Sequence, residues 1–237
     1  KHPDYYAAKA GDTDAAIKVA VDLVTPELVN KVRSVIGSSK PMVVPVVSVE
    51  ASGRNKIPRA AAEVLAQRLG LAAVGGIVQA NSPKRTNMDG LDRIFAAPEF
   101  DGPVVSGRDY LILDDTLTQG ATFAALASHI QRGGGRVVGS VALTGKQYSA
   151  KLQPSAETLK ALREKHGDLE SDFKAATGYG CDALTESEAR YLANFKPAQS
   201  VRDRIIEAGR RAGQREGQGA PRLSAGEGSV TDTADYG

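Results

Sequence analysis

The chain has 237 residues, with 30 lysines and arginines against 28 aspartates and glutamates, so its formal charge is +2. That length is ample to bury a core and allows one α/β domain with decoration or two small domains. A balance so close to neutral gives no global field that would draw in nucleic acid. No apolar run reaches membrane-spanning length and no signal peptide opens the chain, so no membrane partner is expected. Cys181 is the single cysteine and cannot form an internal disulfide; this fits a reducing, cytoplasmic setting. His2, His129 and His166 are scattered and make no zinc spacing. The chain opens on Lys1 in place of methionine, which points to a trimmed chain or a piece of a longer protein.

Taken in chain order, residues 12 to 24 carry helical spacing (Ala16, Ile17, Ala20, Val21, Val24) behind Asp12 as a cap. Thr25-Pro26 starts a second helix that should stop at Gly37. Met42 to Val49 is a Val-rich run short enough for a buried strand, although Pro45 removes a ladder donor. Pro58 opens a helix reaching Gly70, and Leu71 to Val78 predicts a second strand. Residues 80 to 107 form a long connection without period, of the kind that serves as a lid. Tyr110 to Leu113 predicts a third strand, 121 to 132 a helix, and Arg136 to Leu143 a fourth strand after Gly133-Gly134-Gly135. Strands alternating with helices imply a parallel sheet, and ligands in such sheets sit outside the carboxyl ends of the strands. Beyond Lys146, residues 155 to 176 predict helix. Thr185 to Glu188 and Ser200 to Asp203 resemble capping boxes, and the tail from Gly217 lacks periodicity and predicts disorder.

The informative stretch is Leu111-Ile112-Leu113-Asp114-Asp115-Thr116-Leu117-Thr118-Gln119-Gly120-Ala121-Thr122. An apolar strand runs out into two adjacent carboxylates, which can accept hydrogen bonds from a sugar diol. The loop behind them offers backbone N–H groups and the Thr118 and Thr122 hydroxyls at a helix N-terminus, where free donors and the helix dipole favour a phosphate. A ribose 5-phosphate would fit such a turn. The plain alternative is an acidic pair that caps the exit from a buried strand. A Walker loop is excluded, because no lysine follows Gly120 and the acids precede the loop.

This stretch resembles the signature of the type I phosphoribosyltransferases: a hydrophobic strand, two acids, two variable residues and a Thr-Thr-Gly-x-Thr-like loop. The resemblance implies that Asp114 and Asp115 hold the ribose hydroxyls of 5-phosphoribosyl 1-pyrophosphate, with a role for both in catalysis and in contacting a metal. It further implies that Thr118, Gln119, Gly120, Ala121 and Thr122 wrap the 5-phosphate. Gln119 stands where the family usually has a second threonine. Thr118 stands where the purine-salvage branch carries an aspartate proposed to accept a proton, which counts against a hypoxanthine-type route. The cofactor implied is Mg²⁺, held mostly by substrate oxygens and water.

Two flanking segments match the same architecture. Ser52, Gly53 and Arg54 lie between the first strand and the Pro58 helix, where the family has its pyrophosphate loop; an ordinary polar connection is the alternative. Lys84 and Arg85, with Arg93 as a third, are the basic candidates in the long connection, placed to act on the pyrophosphate. The spacing of Pro83 to Thr86, Arg93, Phe95 and Gly107-Arg108 resembles the ComF-like branch, as does Val44-Pro45-Val46. Lys146 and Tyr148 follow the fourth strand, where some members read a nucleobase. His129 reads as packing or surface, Cys181 as inert, and the arginines Arg204, Arg211 and Arg215 as a solvated face lacking an aromatic platform for nucleic acid.

The expected fold is therefore α/β, a parallel-sheet phosphoribosyltransferase core (40–150) flanked by an N-terminal helical pair (1–39) and a helical C-terminal extension (151–216), with a disordered tail (217–237). The expected function is magnesium-dependent transfer of a phosphoribosyl group to a nucleobase-like acceptor. The alternative is a non-catalytic accessory protein of ComF-like type, linked to DNA uptake or processing. The expected partner is a small-molecule substrate, with nucleic acid not a direct ligand and a homodimer as the expected assembly.

Overall fold

The computed structural model describes residues 2–50, 53–80, 91, 94, 98–145, 151–167, 169–177, 180–195, 202–207 and 210. Local signals set the first helices. Helix α1 (Tyr5–Ala10) closes at Gly11. Helix α2 (Thr13–Leu23) starts where the Asp12 carboxylate accepts the Ala15 N–H at 3.0 Å. Helix α3 (Pro26–Ile36) starts behind Thr25, whose hydroxyl oxygen accepts the Leu28 N–H at 3.2 Å, with proline in the first turn. Strand β1 (Met42–Pro45) follows, then the short antiparallel pair β2 (Val49–Glu50) and β3 (Gly53–Arg54), and helix α4 (Ile57–Leu69).

The expected Met42–Val49 strand is thus divided. Pro45 ends β1 in register with Leu113, one more ladder bond runs from Val46 N–H to the Leu113 carbonyl at 2.8 Å, and Val49 belongs to the small ribbon. The expected 71–78 strand is also cut. Ala73 bridges Val43 in parallel fashion, but Gly75 and Gly76 follow, and the chain turns away into β4 (Val78–Gln79), antiparallel to β5 (Phe100–Asp101). One strand of that pair, β5, falls inside the 80–107 connection, which was expected to be without period. Gly102, just past β5, sits at φ 127°, and a side chain there would place Cβ 2.1 Å from the Gly76 carbonyl oxygen. Only glycine permits that approach.

Strand β6 (Asp109–Leu117) is the centre of the molecule. It lies between β1 and β7 (Arg136–Gly145), parallel to both, with helix α5 (Ala121–Arg132) as the crossover to β7. The fold is α/β on a parallel sheet, as expected. Alternation along the strands divides the core. Val43, Leu111, Leu113, Val141 and Leu143 meet α2, α3 and α4 on one face. Val44, Tyr110, Ile112 and Ala142 meet Phe123, Leu126 and Ile130 of α5 on the other. With both faces covered, the strands can be apolar throughout, which is why they read as continuous runs.

The segment after β7 is helical, and no described residue there is strand. The predicted 155–176 helix is two, α6 (Ala156–His166) and α7 (Leu169–Thr177), parted by Gly167 at φ 57°. A 3-10 turn (Cys181–Ala183) and α8 (Glu186–Ala193) follow, and 202–207 are helical. Leu162, Leu169, Phe173, Leu184, Leu192 and Ile205 form a separate cluster here, which Leu91 and Ile94 from the long connection join. The Ser200 cap and the tail from Gly217 lie outside the described residues.

Candidate functional site: the turn from β6 to α5

Strand β6 does not stop at Leu113. It carries both acids, with Asp114 opposite Ala142 and Thr116 opposite Thr144, and ends at Leu117 opposite Gly145. Successive strand residues point to opposite faces. Asp114 therefore shares the face of Ile112 and α5, and Asp115 the face of Leu113 and α4. The sequence reading placed the acids past the strand end as one pair. β7 extends the ladder beneath them, so they straddle the sheet's carboxyl end instead.

Asp115 is buried and already engaged on one oxygen. Asn55 Nδ2 donates to its Oδ2 at 3.2 Å, and Lys9 Nζ of α1 lies 3.5 Å from the same atom. Asn55 is oriented from its other end, where its Oδ1 accepts the Ile57 N–H at 3.1 Å at the start of α4. The Asp115 carbonyl accepts the Thr144 hydroxyl at 2.9 Å. Asp114 is half-buried, and its Oδ1 accepts the Asp115 N–H at 2.8 Å. Burial, then the adjacent Asp115 charge, push the Asp114 carboxyl well above the usual carboxylate range. The two acids therefore differ: one is an ion-paired carboxylate, the other a group inclined to keep its proton.

Beyond Leu117 the loop is short. Thr118 is exposed and Gln119 half-buried, with the Gln119 carbonyl accepting the Thr185 hydroxyl of the C-terminal unit at 2.6 Å. Gly120 adopts φ 83° at the N-cap of α5, a conformation that suits glycine, and offers no side-chain cap. The helix's first bond runs from Ala124 N–H to the Gly120 carbonyl at 2.9 Å. The N–H groups of Ala121, Thr122 and Phe123 meet no acceptor among the described residues. Helices α2, α3, α6 and α8 each begin with a side-chain cap, whereas α5, like α1 and α4, has none at its N-cap residue. Several N–H donors and a positive helix end at a strand terminus suit an anion.

The structure thus brings together Asp114, Asp115, Thr118, Gln119, Gly120, Ala121 and Thr122. Gly53 and Arg54 form β3, antiparallel to β2, with Asn55 directly after them. Ser52, Lys84, Arg85, Arg93, Lys146, Tyr148, Arg211 and Arg215 lie outside the described residues. His129 is a packing residue, its Nε2 3.0 Å from the Gly102 carbonyl. Cys181 is buried, and burial pushes its thiol up to about 12, which agrees with an inert role. Among the described residues, no group of three or more His, Cys, Asp or Glu side chains could hold a metal.

Three participants escaped the sequence reading. Lys9 carried no local signal, because a lysine in a short helix is ordinarily solvated. Asn55 stood in the polar connection between the first strand and the Pro58 helix, and its long-range partner was not visible. Thr185 was legible as a cap, and its capping box with Glu188 is present in full, but its reach to Gln119 was not. A surface hollow of about 500 Å³, lined by Val21, Asp22, Thr25, Val29 and Arg68 among others, shares no residue with the turn. No described helix is long and apolar enough to cross a membrane.

No family model matches the chain. Over 216 residues, 91% of its length, it is 39% identical to Protein TraN of Escherichia coli, covering 48% of that protein. Over 129 residues, 54% of its length, it is 43% identical to a protein of Haemophilus influenzae named only as uncharacterized, covering 29% of that one. The chain spans about half the length of the first relative and under a third of the second. Among solved structures it is similar to an adenine phosphoribosyltransferase at TM-score 0.37 and 14% identity, over 52% of this chain and 70% of that one. The adenine phosphoribosyltransferase of Rhodothermus marinus gives 0.34 and 21%, over 52% and 70%. That of Thermoanaerobacter pseudethanolicus gives 0.34 and 20%, over 56% and 74%. Scores of this size transfer no substrate.

Proposed function

We propose that the chain binds 5-phosphoribosyl 1-pyrophosphate at the β6–α5 turn and transfers its phosphoribosyl group to a nucleobase-like acceptor. One observation carries this reading: an acid pair at the carboxyl end of the central strand stands directly before an uncapped helix start whose first N–H groups meet no acceptor among the described residues. A diol acceptor and a phosphate donor set then lie a few residues apart, as a ribose 5-phosphate requires.

In the proposed reaction the bond from the anomeric carbon to the pyrophosphate oxygen breaks, and that oxygen keeps the electron pair. An acceptor nitrogen bonds to the same carbon and its proton passes to solvent. The protein's part is positional and electrostatic. Asp115 accepts a ribose hydroxyl, and Asp114 lies beside it with an environment that favours its neutral form. The N–H groups of Ala121 to Phe123 and the Thr118 and Thr122 hydroxyls hold the 5-phosphate. Ser52, Gly53 and Arg54 are assigned to the pyrophosphate, with Lys84 and Arg85 brought in by the long connection.

The donor set fits a magnesium ion carried on substrate oxygens better than one held by the protein. The Lys9 ammonium beside Asp115 opposes a second cation there, and Asp114 would offer such an ion a carboxylate only on losing its proton. When bound, Mg²⁺ would supply charge neutralisation of the departing pyrophosphate.

A second reading is a non-catalytic module of ComF-like type that holds a ribose phosphate without transfer. It is favoured by how firmly the turn is already fixed, by Lys9 and Asn55 on Asp115 and by Thr185 on Gln119. Titration of the full chain with 5-phosphoribosyl 1-pyrophosphate and Mg²⁺ tests the site. Asp114→Asn and Asp115→Asn should each weaken binding by roughly tenfold or more, and unchanged affinity in both would end the assignment. A panel of bases with labelled substrate separates the two readings: pyrophosphate release that requires an acceptor removes the second.

A further inference from the structure

We infer that Lys9 is a positioning residue of the ribose-phosphate site, brought by α1 to fix the carboxylate that grips the sugar diol. The inference rests on the reading of the β6–α5 turn proposed above and adds a residue from outside the motif.

The placement is unlike a surface ion pair. The Lys9 side chain is 22% exposed and that of Asp115 is 8% exposed, so their attraction is weakly screened. Helix α1 is held in place on both sides of this residue. Ala8 is fully buried in the core of the α2–α4 face, and its carbonyl accepts the Lys56 N–H at 3.3 Å just before α4. Gly11 then ends the helix in the left-handed conformation, its N–H donating back to the Ala8 carbonyl at 3.2 Å. Lys9 is thereby aimed along the start of α4 toward the sheet's carboxyl end. Its Nζ also lies 5.7 Å from the centre of the Tyr5 ring, which steadies the stem from the solvent side.

Lys9 and Asn55 converge on the same oxygen, Asp115 Oδ2. Fixing one oxygen of a planar carboxylate fixes the other. Neither Lys9 nor Asn55 engages Oδ1; the Asp114 carboxyl is the neighbouring side chain on this carboxylate, and a sugar hydroxyl would take its place as donor. The ammonium also offsets two adjacent carboxylates at a place meant for an anionic sugar phosphate, and its charge favours the ionised form of Asp114 as well. Removing Lys9 should therefore release Asp115 and raise the local negative charge. The cost falls on the diol grip and leaves the N–H groups of α5 untouched.

Calorimetric titration of the full chain with ribose 5-phosphate, and separately with inorganic phosphate, tests this. The parent should bind ribose 5-phosphate more tightly than phosphate. Lys9→Met should lose roughly tenfold in ribose 5-phosphate affinity while phosphate affinity stays within about twofold, and Lys9→Arg should recover most of the loss. The phosphate arm also reports that the variant is folded. An unchanged ratio of the two affinities in Lys9→Met overturns the role of Lys9, whether both affinities persist or both fall. A parent that binds neither ligand overturns the underlying reading of the turn, which is a different outcome from the one that removes Lys9 alone.

Discussion

The parallel-sheet core and the C-terminal helical unit solve the same burial problem in different ways. The core covers β6 on both faces, and at the carboxyl end of that strand the uncapped start of α5 follows the acid pair. The helical unit encloses Phe173, Leu162 and Leu192 and closes two of its helix starts with its own side chains: Ser155 caps α6 and a full capping box closes α8. Even its buried acids are answered. Burial alone would raise Glu186, but Arg190, the Ser155 N–H and the Thr158 hydroxyl outweigh it and hold the carboxyl low. The two regions meet where the Thr185 hydroxyl donates to the Gln119 carbonyl.

The sharpest way to break this comparison is to empty each core in turn. Ile112 and Phe173 are both fully buried, one in the central strand and one in the helical unit. Ile112→Ala should cost about 2–5 kcal/mol and Phe173→Ala about 3–5 kcal/mol in denaturant titrations. Ile112→Ala should abolish phosphate binding as the fold weakens. Phe173→Ala should loosen the helical unit while phosphate binding falls only a few-fold. Loss of both signals together in Phe173→Ala would mean that the two regions are one cooperative body.

A smaller effect is expected at the junction. Thr185→Val removes the donor to Gln119 and the cap of α8, each contributing about 1 kcal/mol. Phosphate affinity should fall roughly fivefold, and Thr185→Ser, which keeps the hydroxyl, should restore it. Equal affinity in Thr185→Val would show that the contact steadies the helical unit alone.

The smallest effect concerns pH. Burial, opposed by its bond to the Leu192 carbonyl, holds the His166 imidazole below its ordinary value of 6.5. Its Nδ1 is buried without a partner among the described residues. Since the unfolded chain takes up the proton more readily, this contribution to stability is complete above the ordinary value and declines as pH falls through the folded one. The melting temperature should therefore drop on acidification by on the order of a few degrees. His166→Gln should flatten that part of the profile, and an unaltered profile would place the acid sensitivity elsewhere.

Much of this was legible from the chain. Asp12, Thr25 and Thr185 announced helices because a cap is a short-range bond between neighbours. The valine runs announced buried strands because both faces are covered. The acid pair and Gly120 were readable because the turn needs those residue types in that order. What stayed hidden depends on partners far along the chain. Lys9 and Asn55 reach Asp115 across 106 and 60 positions, and Leu91 and Ile94 join a cluster otherwise made from residues beyond 160. No window of neighbouring residues contains such information. The division of the acids between two faces was missed because the strand was ended at Leu113, whereas β7 continues the ladder to Gly145.

The small pairing of β4 with β5 carries a consequence for how this molecule can vary. Gln79 faces Phe100, the Ala80 N–H donates to the Glu99 carbonyl at 2.8 Å, and His129 and the Gly76–Gly102 approach lock the base from behind. Both ends of the intervening stretch are thereby clipped to one spot beside the sheet. Leu91 and Ile94 anchor the stretch a second time in the helical cluster, so only a change of length between such anchors would act chiefly through the entropy of closing a loop. Such changes would leave β6 in register with β1 and β7.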